Sequence, residues 1–471
     1  MKYLDIAGFC SVVLGLTVAG NSNGQHLTAD EEFQMALTGD SIITRKLSVY
    51  EEPEYLRMIE LLRNADMAFT NLEMLFHDYE PFPMAESGGT WMRADPALAK
   101  ELAWAGIDMV SRANNHTGDY GTHGMELTTR YVAEAGIVQA GIGMSLAEAR
   151  EAKFLETTKA RVALISIASS FAKQMGAGKS RDNVRARPGL NPLRYKTTYV
   201  LTEPDYERLR QTAETLGQFT DQDGNPTGTD EESPGEMEVF GRNFAIGDEA
   251  GIRMEADEDD VAEIAAVVSN ASRLADFTLV TIHAHEHAGR RELPADFLPI
   301  FARAMIDAGA DVFVGHGPHA LRGIEIYKGK PIFYSLGDFI FQNETLLRLP
   351  HDNYDKFDLD ENAHVADFND ARYEDDTISF PAIPEIWESV IAMPTFKNGR
   401  LTELKLVPIS LGYGRPRQVR GRPLLADREL GRKIIADLQT LSAPFGTKIE
   451  MRRGVGYVTL TPGDSPEQVE E

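Results

Sequence analysis

The sequence predicts an α/β fold, because short apolar runs rich in β-forming residues alternate with segments of helical periodicity. Six runs are typical of strands that end in polar residues: 33–40, 65–73, 107–116, 161–169, 277–287 and 310–319. Five segments between them carry apolar residues at helical spacing: 53–63, 95–105, 122–135, 258–275 and 294–308. Open α/β sheets bind ligands at the carboxyl ends of their strands, so these polar ends mark the expected functional site.

The second half of the chain is expected to add antiparallel strands. The segment "GIEIYKGKPIFYSLGDFIF" predicts a hairpin across Lys328–Lys330, and "ESVIAMPTFKNGRLTELKLVPISL" predicts another that turns at Asn398–Gly399. Pro96 and Pro294 stand near the starts of two predicted helices, where the missing N–H of proline is not needed.

Two polar segments interrupt this pattern and are interpreted as insertions. Residues 171–257 are rich in Gly, Pro and acidic side chains, with a helix predicted near 204–215 and a loose part over 219–257. Residues 347–385 form a second, acidic insertion. We expect the first insertion to act as a lid or a specificity element.

Residues 1–25 resemble a secretion signal. The apolar run Ile6–Ala19 is too short to span a bilayer and is followed by small residues, although Asp5 stands where such signals are positively charged. We expect export to the periplasm or cell envelope; the alternative is a cytoplasmic chain in which this run is a buried strand or an extension. The main domain is expected over 33–420, and a helix, a strand and an acidic disordered tail over 421–471.

The charge balance argues against a nucleic-acid partner. The 471 residues include 47 Lys and Arg against 73 Asp and Glu, a formal net charge of −26. An anionic substrate remains compatible, because a bound metal reverses the local field. Cys10 is the single cysteine, which rules out an intramolecular disulfide and a thiolate metal cage. Any metal must therefore be held by His, Asp, Glu and Asn; the oligomeric state stays open.

Five polar clusters fall at the predicted strand ends. Each alone has an ordinary explanation, such as a helix cap, a solvated carboxylate or a surface turn. Together they offer oxygen and nitrogen ligands without sulfur, a set that suits manganese, iron or zinc. In chain order they are Asp40; Asn71 and Glu73; Asn114, Asn115 and His116; His283, His285 and His287; and His316 and His319. The alternation of the three histidines in "HAHEH" predicts one shared face of a strand.

This order of motifs resembles the CapA-type proteins of poly-γ-glutamate capsule synthesis, in the calcineurin-like metallophosphoesterase superfamily. The resemblance covers about 33–345 outside the first insertion, together with the hairpin over 390–410. It is carried by "GIDMVSRANNHTGDYGTHGM" (106–125), "AGIVQAGIGMSLAEAR" (135–150) and "AGADVFVGHGPHALRGIEIYKGKPIFYSLGDFIF" (308–341).

The resemblance implies a four-layer α/β/β/α sandwich with a dinuclear manganese, iron or zinc centre. It implies that Glu73 is the bridging carboxylate and that His116, which is not a ligand, faces the substrate. The implied ligands are Asp40, Glu73, Asn115, His283, His316 and His319, with His285, His287 and Asp338 as further ligands or supports of the centre. Ile42 stands where metallophosphoesterases usually have the histidine of Asp-x-His, as is common in CapA-like chains, and Asp338 stands where the family's "SLGNF" has asparagine. The sequence therefore leaves open whether the centre binds one ion or two.

A second candidate element lies in the first insertion. In "RARPGLNPLR" (185–194), the side chains of Arg187, Asn191 and Arg194 are predicted to clamp a carboxylate or phosphate over the site; the alternative is a structural turn with exposed arginines. The nearby "GAGKSRDN" is not a phosphate loop, because Lys173 stands where that motif requires glycine.

Three functions follow as alternatives. The first is a metal-dependent hydrolase of a phosphoester or an amide in a peptide-like or poly-γ-glutamate-type substrate, with His116 protonating the leaving group. The second is a non-catalytic component of polymer or envelope assembly, and the third is a metal-dependent peptide epimerase. Each implies an anionic or peptide-like small molecule or polymer as partner.

Overall fold

The structure is a computed structural model that describes residues 31–220 and 234–460. The predicted signal peptide and the acidic end of the C-terminal tail lie outside the described residues. In the described part, no helix is long and apolar enough to cross a membrane.

The strands of the described residues are short, and most of them are largely buried. In chain order they are β1 (Glu32–Ile42), β2 (Met67–Leu72), β3 (Leu75–Phe76), β4 (Arg93–Ala94), β5 (Met109–Ser111), β6 (Val138–Ala140), β7 (Ile142–Gly143), β8 (Lys153–Glu156), β9 (Arg161–Ala168), β10 (Gly189–Leu190), β11 (Tyr195–Leu201), β12 (Glu236–Val239), β13 (Arg242–Ile246), β14 (Gly251–Ala256), β15 (Phe277–His283), β16 (Val312–His316), β17 (Ile324–Tyr327), β18 (Lys330–Phe333), β19 (Asp338–Phe341), β20 (Glu388–Lys397), β21 (Arg400–Ser410), β22 (Leu424–Leu425), β23 (Ile449–Arg452) and β24 (Val455–Val458).

The helices alternate with these strands, as an α/β chain requires. They are α1 (Pro53–Arg63), α2 (Ala99–Ala105), α3 (Gly121–Glu134), α4 (Leu146–Arg150), α5 (Glu203–Thr215), α6 (Glu258–Ala271), α7 (Phe297–Asp307), α8 (His351–Asp355), α9 (Val365–Tyr373) and α10 (Arg428–Ser442). Short 3₁₀ turns span Pro96–Leu98, Lys173–Met175, Asn343–Thr345, Phe380–Ala382, Pro384–Trp387 and Ala443–Phe445. The α/β class is confirmed.

Two mixed sheets dominate the described structure. The larger follows the order β23-β24-β21-β20-β1-β2-β5-β6, with β19 also paired to β1 and β22 to β21. The smaller follows the order β17-β18-β16-β15-β9-β8. Both predicted hairpins are confirmed, as β17–β18 and β20–β21. The strand ends that carry the five polar clusters therefore divide between two sheets: β1, β2 and β5 in one, and β15 and β16 in the other.

Apolar side chains of both sheets share one buried cluster. Phe33 of β1 stacks on Phe277 of β15 with ring centroids 4.8 Å apart, and Phe277 lies 5.1 Å from Phe396 of β20. A second cluster joins α1 and α2 to the larger sheet, and a third joins α6 and α7 to the smaller sheet. The contact between the sheets fixes how their polar strand ends meet.

Truncating the aromatic contact between the sheets should lower the stability of the whole fold. Phe33 is completely buried, so Phe33→Ala is expected to reduce the free energy of unfolding by about 3–5 kcal/mol, through lost burial and a residual cavity. Urea denaturation followed by circular dichroism measures this change. The matched control is Phe82→Ala, whose side chain is 88% exposed and whose loss should cost less than about 0.5 kcal/mol. Equal effects would contradict the packing described here.

Three local predictions need correction. The described part of 219–257, which was expected to be loose, instead contains β12, β13 and β14, which form a four-stranded sheet with β11; residues 221–233 lie outside the described residues. The segment 95–105 divides into a 3₁₀ turn and α2, and the second insertion contains α8 and α9. The helix near 204–215 is confirmed as α5. The small sheet was missed although β12 alternates acidic and buried apolar residues; β14, by contrast, has no fully buried side chain.

Candidate metal centre

Strand register brings the polar strand ends together. In the larger sheet, Asp40 of β1 pairs with Asn71 of β2 and with Asp338 of β19. In the smaller sheet, His283 and His316 pair as the last residues of β15 and β16. Because the two sheets pack against each other, carboxylates from one sheet meet imidazoles from the other.

One side of this cluster consists of Asp40, His283 and His316, all completely buried. Asp40 Oδ1 lies 3.5 Å from His316 Nδ1 and 3.7 Å from His283 Nδ1, and the two Nδ1 atoms are 3.1 Å apart. Thr281 Oγ1 contacts His316 Nε2 at 2.8 Å. If Nε2 donates to this hydroxyl, Nδ1 keeps its lone pair on the side of Asp40, as a ligand nitrogen must.

The other side consists of Glu73, His285 and His319. Glu73 Oε1 lies 3.9 Å from His319 Nε2, and His285 Nε2 lies 2.9 Å from His283 Nε2. Asp338 Oδ1 contacts His319 Nδ1 at 2.8 Å, so that Asp40, His319 and Asp338 form a third group. The third group shares Asp40 with the first group and His319 with the second. Together the three groups provide potential ligands for more than one ion.

Several buried oxygens at this place lack a hydrogen-bond donor among the described residues. They are both carboxylate oxygens of Glu73, Asn115 Oδ1 and Asp338 Oδ2. A buried polar atom without a partner costs about 1–3 kcal/mol, and more when it is charged. A divalent cation would satisfy these oxygens and the facing imidazole nitrogens together. The residues present therefore fit a divalent metal with nitrogen and oxygen ligands.

The pKa shifts follow from crowding buried charges. Burial, with Asp40 and Asp338 nearby, raises the pKa of Glu73 well above its usual range, and burial raises the pKa of Asp338 to about 6. Burial also lowers the pKa of His316 to about 3 and that of His283 and His285 in the same direction. Neutral imidazole is the form that binds metal. The cluster is thus short of positive charge, which a cation supplies.

His116 lies beside this centre and is held by a carboxylate. Its Nδ1 lies 2.7 Å from Asp119 Oδ2, and its Nε2 lies 3.7 Å from Glu73 Oε1. Asp119 is completely buried and also accepts hydrogen bonds from the backbone N–H groups of Gly88 and Met92. With Nδ1 fixed by the carboxylate, Nε2 is the nitrogen left for proton exchange. Sequence reasoning missed Asp119, although its place three residues after His116 in "NNHTGDYG" was a usable signal.

A cavity of about 770 Å³ opens above the centre. Both insertions contribute to its walls: Ile252 and Met254 of β14 from the first, and Arg372 and Phe380 from the second. Other lining residues are Asn115, His116, His285, Glu286, His287, Arg291, His319 and Phe341. The first insertion therefore borders the cavity, and its role as a lid or a specificity element stays a prediction.

The predicted clamp of Arg187, Asn191 and Arg194 over the centre is wrong. Arg187 and Arg194 line a separate cavity of about 660 Å³, and Arg194 is paired with Asp260 at 2.7 Å. Asn191 is completely buried, and its Nδ2 donates to the Ser166 carbonyl at 3.0 Å. A local motif of arginines does not specify which cavity its turn will face.

The shared strand face predicted for the three histidines of "HAHEH" is also wrong. The strand β15 ends at His283, and the chain then bends so that His285 returns to the centre. His287 lines the cavity but is exposed and belongs to none of the described metal-binding groups.

A buried arginine, also missed from the sequence, fixes this bend. Arg322 is completely buried and donates hydrogen bonds to the carbonyls of Ala284, His285, Glu286 and Arg291, at 2.8–3.4 Å. Four carbonyls of the loop that carries His285 thus depend on one guanidinium. Burial lowers the pKa of Arg322 to about 10, so the group stays charged at neutral pH.

Arg322→Met should therefore be strongly destabilising, because it leaves buried carbonyls without donors. We expect the free energy of unfolding to fall by about 3 kcal/mol or more, measured by urea denaturation. Arg57→Met is the control: the Arg57 side chain is 58% exposed and faces Glu54 at 3.8 Å, so its loss should cost less than about 0.5 kcal/mol. A small effect of Arg322→Met would show that the loop keeps its shape without the guanidinium.

The fold and the site define a class of protein: a mixed α/β protein in which buried imidazoles and carboxylates gather at the strand ends. The chain belongs to the family of bacterial capsule synthesis proteins, PGA_cap, whose family model matches residues 34–343. The resemblance to CapA-type proteins is thereby confirmed, and with it the relation to the metallophosphoesterase-like superfamily.

Relatives agree with this assignment. An uncharacterized protein of Sinorhizobium fredii (strain NBRC 101917 / NGR234) is 40% identical over 443 residues, which are 91% of this chain and 93% of that protein. The capsule biosynthesis protein CapA of Bacillus anthracis is 23% identical over 66% of this chain and 60% of its own length. The PGA biosynthesis protein CapA of Bacillus subtilis (strain 168) is 28% identical over 53% of this chain and 47% of its own length. The similarity to the named capsule proteins therefore covers only part of each.

Proposed function

We propose that this protein is a metal-dependent hydrolase that cleaves a phosphoester or an amide bond in an anionic, peptide-like or poly-γ-glutamate-type substrate. The observation that carries the proposal is the convergence of buried carboxylates and imidazoles, with both oxygens of Glu73 unpartnered, at the base of an open cavity. A four-layer α/β/β/α sandwich is the fold proposed for it, supported by a shared core between the sheets and by helices packed on each sheet.

In this proposal the ligands are Asp40, Glu73, Asn115, His283, His316 and His319, and His285 and Asp338 join them because they lie in the same groups. These ligands would bind two ions of manganese, iron or zinc. When bound, such cations supply Lewis acidity, which polarises the attacked group and lowers the pKa of water.

The chain's own residues supply the proton chemistry. His116 Nε2 donates a proton to the leaving group, while Asp119 holds Nδ1 and stabilises the charged imidazolium. The walls contributed by the two insertions orient the substrate and exclude water from the base of the cavity.

A non-catalytic role in polymer synthesis is the second candidate. It is favoured by the names of two relatives, which describe proteins of capsule and PGA biosynthesis without a reaction. The same names support a place at the cell envelope, which fractionation of cells that express the full chain would test.

A substrate panel in deuterated water separates the candidates. The metal-supplemented protein is incubated with p-nitrophenyl phosphate, bis-p-nitrophenyl phosphate and a γ-linked glutamate oligomer, and the products are analysed by mass spectrometry. Cleavage supports the hydrolase. Deuterium at the α-carbon without cleavage supports the epimerase instead, and metal retention with neither product supports the accessory role. Glu73→Gln is the control, because loss of the proposed bridging carboxylate should abolish either reaction.

A further inference from the structure

Two arginines in the walls of the metal cavity have no part in the proposed ligand set. Arg291 follows the loop of His285, and Arg372 lies near the end of α9 in the second insertion. Arg291 Nη1 approaches the carbonyl of Pro318, the residue before His319, at 3.4 Å. Arg372 donates to Thr90 Oγ1, next to the Gly88 carbonyl that Asn115 contacts. Both arginines therefore line the cavity above the centre, one from the loop after β15 and one from the second insertion.

Neither guanidinium meets a carboxylate within 4.0 Å among the described residues. Arg291 Nη1 has one distant backbone acceptor, the Pro318 carbonyl at 3.4 Å, and Arg372 has the hydroxyl of Thr90. Other half-buried arginines contact a carboxylate or several carbonyls: Arg417 contacts Asp370 at 2.8 Å, and Arg45 donates to the carbonyls of Gln418 and Arg420. The chain has 73 acidic residues, yet these two half-buried cations share one cavity and contact no carboxylate. Their positive charge therefore favours the binding of an anion in this cavity.

The side chain of Arg372 and the backbone of Arg291 are nevertheless held in place. The guanidinium of Arg372 lies 5.1 Å from the ring centroid of Tyr373 and 5.8 Å from that of Phe380. The backbone of Arg291 is fixed by its carbonyl, which accepts from Arg322 at 2.8 Å. Groups positioned in advance lose little entropy when they bind an anion, so their arrangement favours binding.

The remaining charge in the cavity wall does not compete for them. Glu286 is the carboxylate among the described lining residues that is not proposed as a ligand. Its two oxygens already accept hydrogen bonds from Ser169 and Ser170, at 2.7 and 2.8 Å. Its negative charge is therefore satisfied by two hydroxyls that follow the neighbouring strand β9, and the arginines stay available.

We infer that Arg291 and Arg372 bind anionic groups of the substrate other than the group that is attacked, so that the substrate carries at least two anionic groups. This rests on the proposed function, because the attacked group is taken to lie at the metal centre. A guanidinium fork binds phosphate and carboxylate alike, and both are covered by the inference. The two residues are specificity determinants that select multiply charged substrates.

The test compares two ligands that differ in one charge. Propylphosphonate and 3-phosphonopropionate have the same length and a C–P bond that is not hydrolysed, and the second carries a carboxylate in place of a methyl group. Isothermal titration of the metal-loaded full chain should show at least about tenfold tighter binding of 3-phosphonopropionate. Arg291→Gln or Arg372→Gln should reduce that preference to about threefold or less. Arg290→Gln, an exposed neighbour that removes the same charge outside this cavity, should preserve it.

The possible results separate this inference from the proposed function. No preference in metal-loaded wild type, or an unchanged preference in both variants, would overturn the inference and leave the metal centre intact. Wild type that takes up no metal would overturn the proposed function itself. A variant that loses metal would show that its arginine supports the centre, which also overturns the assignment. Propane-1,3-diphosphonate, measured beside 3-phosphonopropionate, shows whether phosphate or carboxylate is the preferred second group.

Discussion

Asp40→Asn is expected to remove most of the divalent metal from the protein, from about two ions per chain to fewer than about one. Asp40 belongs to two of the three groups at the centre, and its Oδ1 faces His283 and His316. The amide keeps the shape but loses the negative charge that holds a cation. Metal content is measured by plasma mass spectrometry after incubation with manganese, iron or zinc and removal of the excess.

Asp311→Asn is the matched control for this experiment. Asp311 is also a largely buried aspartate, and its carboxylate accepts a hydrogen bond from the Thr278 N–H. It lies directly before β16, at the opposite end of that strand from His316. Its substitution should leave the metal content unchanged. About one ion per chain in wild type would mean that the metal position that lacks the histidine of Asp-x-His is not filled. Equal metal content in wild type and Asp40→Asn would exclude Asp40 as a ligand.

His116→Gln is expected to reduce turnover by about 10²–10⁴-fold while the metal content stays at the wild-type level. The imidazole contacts Asp119 through Nδ1, and glutamine cannot exchange a proton at the place of Nε2. Asp119→Asn should have a smaller but clear effect, about tenfold or more, because the ring loses its fixed orientation and the charge that stabilises imidazolium. Initial rates are measured with the substrate that the panel identifies, and metal is quantified on the same samples.

His123→Gln serves as the control for these variants. His123 is exposed on α3, a few residues beyond Asp119, and should leave the rate unchanged. Turnover by His116→Gln at the wild-type rate would exclude the proposed proton donor. Loss of metal together with turnover would instead identify His116 as a support of the centre.

The sequence predicted the positions of the buried strands and their polar ends, because these strands are apolar runs with abrupt polar termini, although β5 spans only Met109–Ser111 of the predicted 107–116. Asp40, Glu73, His283, His316 and His319 were identified as a candidate set in this way, and the structure brings them together. The bounds of α1 were predicted to the residue, since its apolar positions recur at helical spacing between Pro53 and Arg63.

Tertiary partners account for what could not be predicted. Nothing in the sequence around Arg322 indicates that its guanidinium will meet four carbonyls of a loop more than thirty residues earlier. Arg187 and Arg194 were assigned to the wrong cavity, because a turn motif does not encode the direction it faces. The strand over 277–287 was predicted too long for a related reason: the bend after His283 depends on Arg322.

The division of the ligand candidates between two sheets makes the centre a cross-link as well as a reactive site. Asp40 lies in one sheet and Glu73 directly follows β2 of the same sheet, while His283 and His316 belong to the other. An ion held by both sets binds only a chain whose sheets have already closed, so its binding energy adds to folded-state stability by mass action. The availability of metal would then determine how long the folded protein persists. Removing the metal with a chelator would shorten its lifetime even in the absence of substrate.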